Sequence, residues 1–189
     1  MNKHLRRRSA ALSAIVVLMA LCGCAGTEPV GGADAAGGDV DAAVRDVDAT
    51  VRNVDAAVRE MMSALARDLA ADGPAAWLGY FADDPEFFMA SDGAAVFPDL
   101  ATARAFVTEF DATVASMELN WGELSVDVIN ADIALLSAPY DEVIVDAGGK
   151  RTSFNGFFTG TAMRTEAGWR LKSLHWSSPR EDDADSAHT

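Results

Sequence analysis

The chain has 189 residues, with 15 Lys and Arg against 29 Asp and Glu and a formal net charge of −14. A surface this acidic repels phosphate backbones, so nucleic acid is excluded as an expected partner. Only two cysteines, Cys22 and Cys24, and three histidines are present, without the clustered spacing of a metal site. No Gly-rich phosphate loop follows a strand, so we expect neither a metal nor a cofactor.

The first 23 residues are typical of an export signal. Residues 1–8 are basic, and residues 10–21 form an apolar run of 12 residues, shorter than the ~20 needed to span a bilayer. The run ends in Leu21-Cys-Gly-Cys24, which resembles the lipobox of bacterial lipoproteins. The resemblance implies a lipid on Cys24 and a protein exported to the cell envelope and held at a membrane. The alternative is an ordinary secretory signal that contains a stray cysteine.

Residues 24–39 and 40–60 have different patterns. The first stretch is rich in Gly and Ala without apolar periodicity, which predicts a flexible tether. The second contains three heptads whose valines step by four and three residues and form one apolar seam on a helix. The seam predicts either a short coiled-coil stalk that joins chains or a single amphipathic helix packed on its own domain.

Residues 61–179 are predicted to fold as one domain. The seam helix continues to Asp72-Gly73-Pro74, and a short helix follows at about residues 75–82. A hairpin turns at residues 91–93, a helix begins after Asp99, and four long strands reach residue 177. The alternation of apolar residues slips by one between Trp121 and Leu124, which predicts a β-bulge. Residues 180–189 are polar and are predicted to be disordered.

This order of elements predicts an α+β fold in which helices gather on one side of a strongly bent sheet. Ala82-Asp-Asp-Pro-Glu-Phe-Phe88, Asp132-Ile-Ala-Leu-Leu136 and the stretch from Gly168 to Ser177 resemble the SnoaL-like branch of the NTF2-like superfamily. The resemblance covers about residues 58–179. It implies a cone, in which a strongly curved antiparallel sheet packs on about three helices and an apolar pocket opens at one end. It also implies dimers that pack sheet on sheet.

The family that the chain resembles includes isomerases and cyclases, and the resemblance implies where their catalytic groups would lie in this sequence. Isomerase chemistry needs a carboxylate base, a tyrosine and a protonated acid. Alignment with that pattern places Met89, Leu65 and Phe157 at the three positions. All three side chains are apolar, so we do not expect this chemistry.

The ligand pocket is expected to be apolar, with one ionisable group. Alternation along the last strand places His175 on the cavity side with Trp169 and Leu171. An imidazole there is either a general base, assisted by Asn155 or Tyr140, or a neutral hydrogen-bonded core residue. The predicted pocket residues are Trp77, Phe81, Met89, Trp121, Asn155, Phe157 and His175.

Two functions follow as hypotheses. The first is a non-catalytic, lipid-anchored binding or scaffold module for a small apolar ligand or a protein partner. The second is an isomerase, cyclase or hydrolase with His175 as its base. The membrane, through Cys24, and a second copy, through the sheet face or residues 40–60, are the expected partners.

Overall fold

The computed structural model describes residues 35–179. The predicted signal at residues 1–23, the lipidation site Cys24 and the predicted disordered tail at residues 180–189 lie outside the described residues. The first helix begins at Ala35, so residues 35–39, which were expected to belong to the tether, are helical.

The described chain contains three helices and seven strands. Helix α1 spans Ala35–Asp72, a short 3-10 helix spans Pro74–Gly79, and helix α2 spans Leu100–Asp111. The strands are β1 (Phe88–Ser91), β2 (Ala94–Phe97), β3 (Val114–Trp121), β4 (Ser125–Val128), β5 (Ile133–Asp146), β6 (Arg151–Thr165) and β7 (Gly168–Ser177). The prediction of an α+β fold with helices packed on a curved sheet is confirmed.

Local signals set the ends of the helices. Gly73 adopts a φ of 75° that suits glycine, and its N–H donates to the carbonyl of Leu69 at 3.0 Å, which closes α1. Asp99 caps α2 as predicted, because its carboxylate accepts a 2.7 Å hydrogen bond from the N–H of Thr102. These contacts fix where α1 and α2 stop and start.

The two halves of the α1 seam have different surroundings. Val54, Val58 and the apolar residues that follow them are buried against the chain's own sheet. The valines from Val40 to Val51 are exposed. The end of the predicted heptad segment therefore packs on its own domain, and its beginning presents an apolar stripe to solvent.

The sheet has the order β2-β1-β7-β6-β5-β3, and β4 also pairs with β5. All neighbours are antiparallel except β1 and β7, which are parallel. Strands β3 and β4 pair with successive parts of β5, and Gly122 lies at the break between them, where its N–H donates to the carbonyl of Pro139 at 2.8 Å. This interruption lies where the slip in alternation predicted a bulge.

A second irregularity, in β7, was not predicted. Thr161 pairs with Ser173, but the next residue of β6 pairs with Leu171, so Lys172 is an extra residue on β7. Because of this extra residue, odd-numbered side chains of β7 face the interior before it and even-numbered ones face the interior after it. Leu171 is buried before it, and Leu174 and Trp176 are buried after it. His175 is therefore exposed on the outer face, and its predicted place on the cavity side is wrong.

Candidate functional site

A cavity of about 340 Å³ lies between the sheet and the helices. Its lining residues come from the 3-10 helix, α2 and the sheet, and eight of them are aromatic. Trp121, Phe158 and Trp176 pack on one another beside it, with ring centroids 4.9 to 5.7 Å apart. These rings fill part of the interior, and the remaining space has the size and apolar lining of a small-molecule site.

Strand β5 places one carboxyl group, that of Glu142, in this cavity. The inner face of β5 carries Ala138, Tyr140, Glu142 and Ile144, because side chains two residues apart share a face. Glu142 is half-buried, and burial raises the pKa of its carboxyl from 4.5 to about 7. The expectation that the cavity holds no carboxyl group is wrong.

Tyr140 lies two residues before Glu142 and is buried. Its ring meets Trp176 edge-on, with centroids 4.6 Å apart. Gly156 is paired opposite Tyr140 on β6, and a Cβ on it would collide with the carbonyl of Ser177 and approach the Tyr140 ring. The glycine therefore leaves the room in which the ring and β7 pack.

The phenol of Tyr140 stays protonated at neutral pH. Burial raises the pKa of Tyr140, the nearby carboxylates of Glu142 and Asp92 add to the rise, and a hydrogen bond with Ser178 opposes it. A protonated phenol on the same face as a carboxyl group of raised pKa offers a ligand one hydrogen-bond donor and one group able to exchange a proton.

Asp92 forms the rim of the cavity. It occupies the turn between β1 and β2 with a φ of 47°, and its carboxylate accepts a 2.7 Å hydrogen bond from the N–H of Ser178. The N–H of Asp92 donates to the carbonyl of Trp176 at 3.1 Å. These bonds tie the turn between β1 and β2 to the end of β7, so one side-chain and one backbone hydrogen bond hold the rim.

The structure separates the residues predicted for the pocket. Trp77, Phe81 and Met89 line the cavity. Trp121 does not line it, because its ring packs in the interior and its indole N–H donates to the carbonyl of Met62 at 3.0 Å. Leu65, which the alignment placed at the tyrosine position of the family pattern, is fully buried in the core.

Asn155, Phe157 and His175 lie on the outer face of the sheet, so their predicted place inside the cavity is wrong. Phe157 is 45% exposed, whereas its neighbour Phe158 is fully buried. A difference of one residue along a strand turns the side chain to the opposite face. Asn155 shares the outward phase of Phe157.

Glu142 was missed for a related reason. Strand β5 carries apolar residues on both faces up to Tyr140, so its sequence does not show at once which face is inward. Glu142 is in phase with Leu136, Ala138 and Tyr140, all of which are buried. That alternation was a usable signal for an inward carboxyl group.

Over residues 35–179, no group of three or more His, Cys, Asp or Glu side chains is arranged to hold a metal ion. In the same range, no helix combines the length and apolar character that crossing a bilayer requires.

Comparison with known proteins identifies the fold. No protein-family model and no curated protein matches the chain. Among solved structures, an NTF2-like superfamily protein from Salmonella enterica superposes with a TM-score of 0.59 at 15% identity, over 69% of this chain and 94% of that one. This chain has the NTF2-like fold.

Two similar structures carry enzyme names. A Novosphingobium aromaticivorans protein provisionally assigned as a scytalone dehydratase has a TM-score of 0.62 at 10% identity, over 70% of this chain and 89% of that one. A hexachlorocyclohexane dehydrochlorinase, LinA type 2, has a TM-score of 0.57 at 12% identity, over 70% and 90% of the two chains. At these identities the likeness concerns the NTF2-like fold, which ligand-binding and enzymatic proteins share.

Proposed function

We propose that this protein is a cell-envelope module that binds a small, mainly apolar ligand carrying one polar group. The observation that carries the proposal is the cavity of about 340 Å³, in which an apolar lining surrounds one half-buried carboxyl group and one buried phenol. Apolar walls supply most of the binding free energy, at ~25 cal/mol for each Å² removed from water. The polar pair, Tyr140 and Glu142, fixes the orientation of the ligand.

Filling the cavity tests this proposal. Ile144 lines the cavity, whereas its neighbour Val143 is on the outer face of β5 and does not line it. Ile144→Trp should abolish binding of a neutral probe such as phenylbutanol, measured by calorimetry on the full-length chain. Val143→Trp adds the same ring on the other face and should leave binding intact. Equal binding by the two variants would place the ligand elsewhere.

The second candidate function is acid–base catalysis in the same cavity. It is supported by a carboxyl group whose pKa of about 7 suits proton transfer near neutral pH and by the enzyme names of two proteins with this fold. In this alternative Glu142, and not the exposed His175, is the general base, and the Tyr140 phenol donates a hydrogen bond to a developing oxyanion.

Proton exchange distinguishes catalysis from binding. A general base in the cavity would exchange the α-protons of phenylbutanone with deuterated solvent, which NMR detects. Glu142→Gln should abolish this exchange, and His175→Ala should preserve it. If the ketone binds but its α-protons exchange no faster than in solvent, the protein binds the ligand without catalysis, and the catalytic alternative is refuted.

Attachment to a bacterial membrane through a lipid on Cys24 is also a proposal. It is supported by the basic and apolar leader and by the sequence from Leu21 to Cys24. Cys24→Ala should move the protein from the membrane fraction to the soluble fraction. Retention of that variant in the membrane fraction would refute the lipid anchor.

Self-association is a further proposal, with two candidate surfaces. One is the exposed seam from Val40 to Val51, which ends where Val54 enters the chain's own core. The other is the outer face of the sheet, where Leu135 and Phe157 are exposed. Both present apolar side chains that a second copy of the chain would cover.

A further inference from the structure

Acidic side chains lie among the described residues that line the cavity. Within the part of the chain that the structure describes, no Lys, Arg or His lines it. Glu142 faces its interior and Asp92 stands at its rim. An anionic ligand would meet these carboxylates without any counter-charge, so the lining selects against anions.

Glu142 has no ionic partner among the side chains of residues 40–179. Its cross-strand neighbours are Leu119 on β3 and Phe154 on β6, both apolar. Burial opposes the ionisation of Glu142, because it removes the water that would stabilise the carboxylate and no side-chain cation among the described residues takes over that role. A ligand that brings a positive charge to this carboxylate would remove that penalty and add a charge-assisted hydrogen bond.

The aromatic walls favour the same kind of ligand. Ring faces attract cations, and this attraction strengthens where water is excluded. Tyr140 and Trp176 are in contact with each other and line the cavity together with Glu142. The whole chain also carries a net charge of −14, which attracts cations to its surface and repels anions.

We propose that the ligand of this cavity is a small lipophilic amine, bound as its ammonium ion. The nitrogen donates to the carboxylate of Glu142, and the apolar part of the ligand fills the space lined by Phe81, Phe97 and Met117. This inference rests on the proposed function, because it specifies the polar group of the ligand that the cavity is proposed to bind.

Three probes that share a phenylbutyl group test the proposal. Phenylbutylamine ends in a cation, phenylbutanol in a neutral hydroxyl and phenylpentanoate in an anion. Calorimetry on the full-length chain at pH 8 should give the order amine, alcohol, carboxylate from tightest to weakest. The amine should bind at least about tenfold more tightly than the alcohol, as expected for one hydrogen bond to a charged group.

Two substitutions on β5 form a matched pair. Glu142→Gln keeps the shape of the side chain and removes its charge, and it should reduce the preference for the amine to less than about threefold. Asp141→Asn removes one charge from the adjacent residue, which is exposed on the outer face, and it should leave the preference unchanged. Thermal melts of both variants check that they are folded.

The outcomes separate the two proposals. An alcohol that binds as tightly as the amine overturns the amine assignment and leaves the apolar binding site intact. A preference for the amine that survives Glu142→Gln also overturns it, because the selectivity then comes from overall charge. Failure of all three probes to bind overturns the proposed function itself.

The pH dependence adds an independent readout. The lining groups that can titrate are Glu142, Asp92 and Tyr140. Affinity for the amine should rise between pH 6 and pH 8 as Glu142 loses its proton, while affinity for the alcohol changes little. A flat profile for the amine would contradict direct pairing with Glu142.

Discussion

Replacing Glu142 by Gln should make the chain less sensitive to alkaline pH. In the folded chain burial raises the pKa of Glu142 from 4.5 to about 7. Between these two values the unfolded chain has lost a proton that the folded chain retains. The unfolded state therefore binds fewer protons, and the free energy of unfolding falls as pH rises through this window. The loss is complete above pH 7 and absent below the unfolded pKa.

The size of the effect follows from the two pKa values. Linkage gives a loss between pH 5 and pH 8 of about 2.5 kcal/mol from this one group. Residual contact of the half-buried side chain with water lowers the expected loss to about 1–2 kcal/mol. Glu142→Gln removes the titration, so the variant should gain this amount over the wild-type chain at pH 8 and little at pH 5.

Urea unfolding at a series of pH values measures the difference. Fluorescence of Trp77, Trp121, Trp169 and Trp176 reports loss of the core. Because both chains share every other titrating group, the difference between their free energies isolates Glu142. Asp141→Asn on the outer face is the control and should track the wild-type chain. A difference between Glu142→Gln and wild type that stays constant from pH 5 to pH 8 would refute the reasoning.

Other predictions concern packing and association. Leu65→Ala should lower the free energy of unfolding by about 2–5 kcal/mol, because Leu65 is fully buried. Val44→Ala on the exposed seam should change the free energy of unfolding by less than about 0.5 kcal/mol. Equal effects of the two substitutions in denaturant melts would contradict the packing of α1. Gly156→Ala should cost about 1–3 kcal/mol, since its Cβ would collide with β7, and an unchanged melting curve would argue against that contact. If the exposed seam joins chains, Val44→Ser with Val51→Ser should lower the sedimenting mass, and an unchanged mass would eliminate the seam as the interface.

The elements that were predicted correctly depend on neighbours in the chain. The φ preference of Gly73 ends α1, and the side chain of Asp99 bonds to an N–H three residues on. The turn at Asp92 and Gly93 joins two short strands as the sequence indicated. Each signal acts within a few residues, so it can be recognised before the fold is known.

The candidate site could be predicted only in part. Trp77, Phe81 and Met89 are apolar residues near the ends of short elements, and the cavity forms where those elements meet. The assignment of His175 to the cavity used alternation along a single strand, and it fails after the extra residue Lys172. Glu142 was not among the predicted site residues, because recognising it requires the alternation of β5 to be carried forward from Leu136.

The sequence by itself determined the order of the elements, the α+β class and the acidic character of the chain, because these depend on local propensity, periodicity and composition. Only the tertiary structure decided which face of β7 carries His175, that α1 uses Val54 and Val58 within its own domain, and that Glu142 faces an apolar space. The physical reason is that the environment of a side chain depends on which elements cover its face of the sheet. A one-residue change in strand register reverses that face without altering the composition or the propensity of the strand.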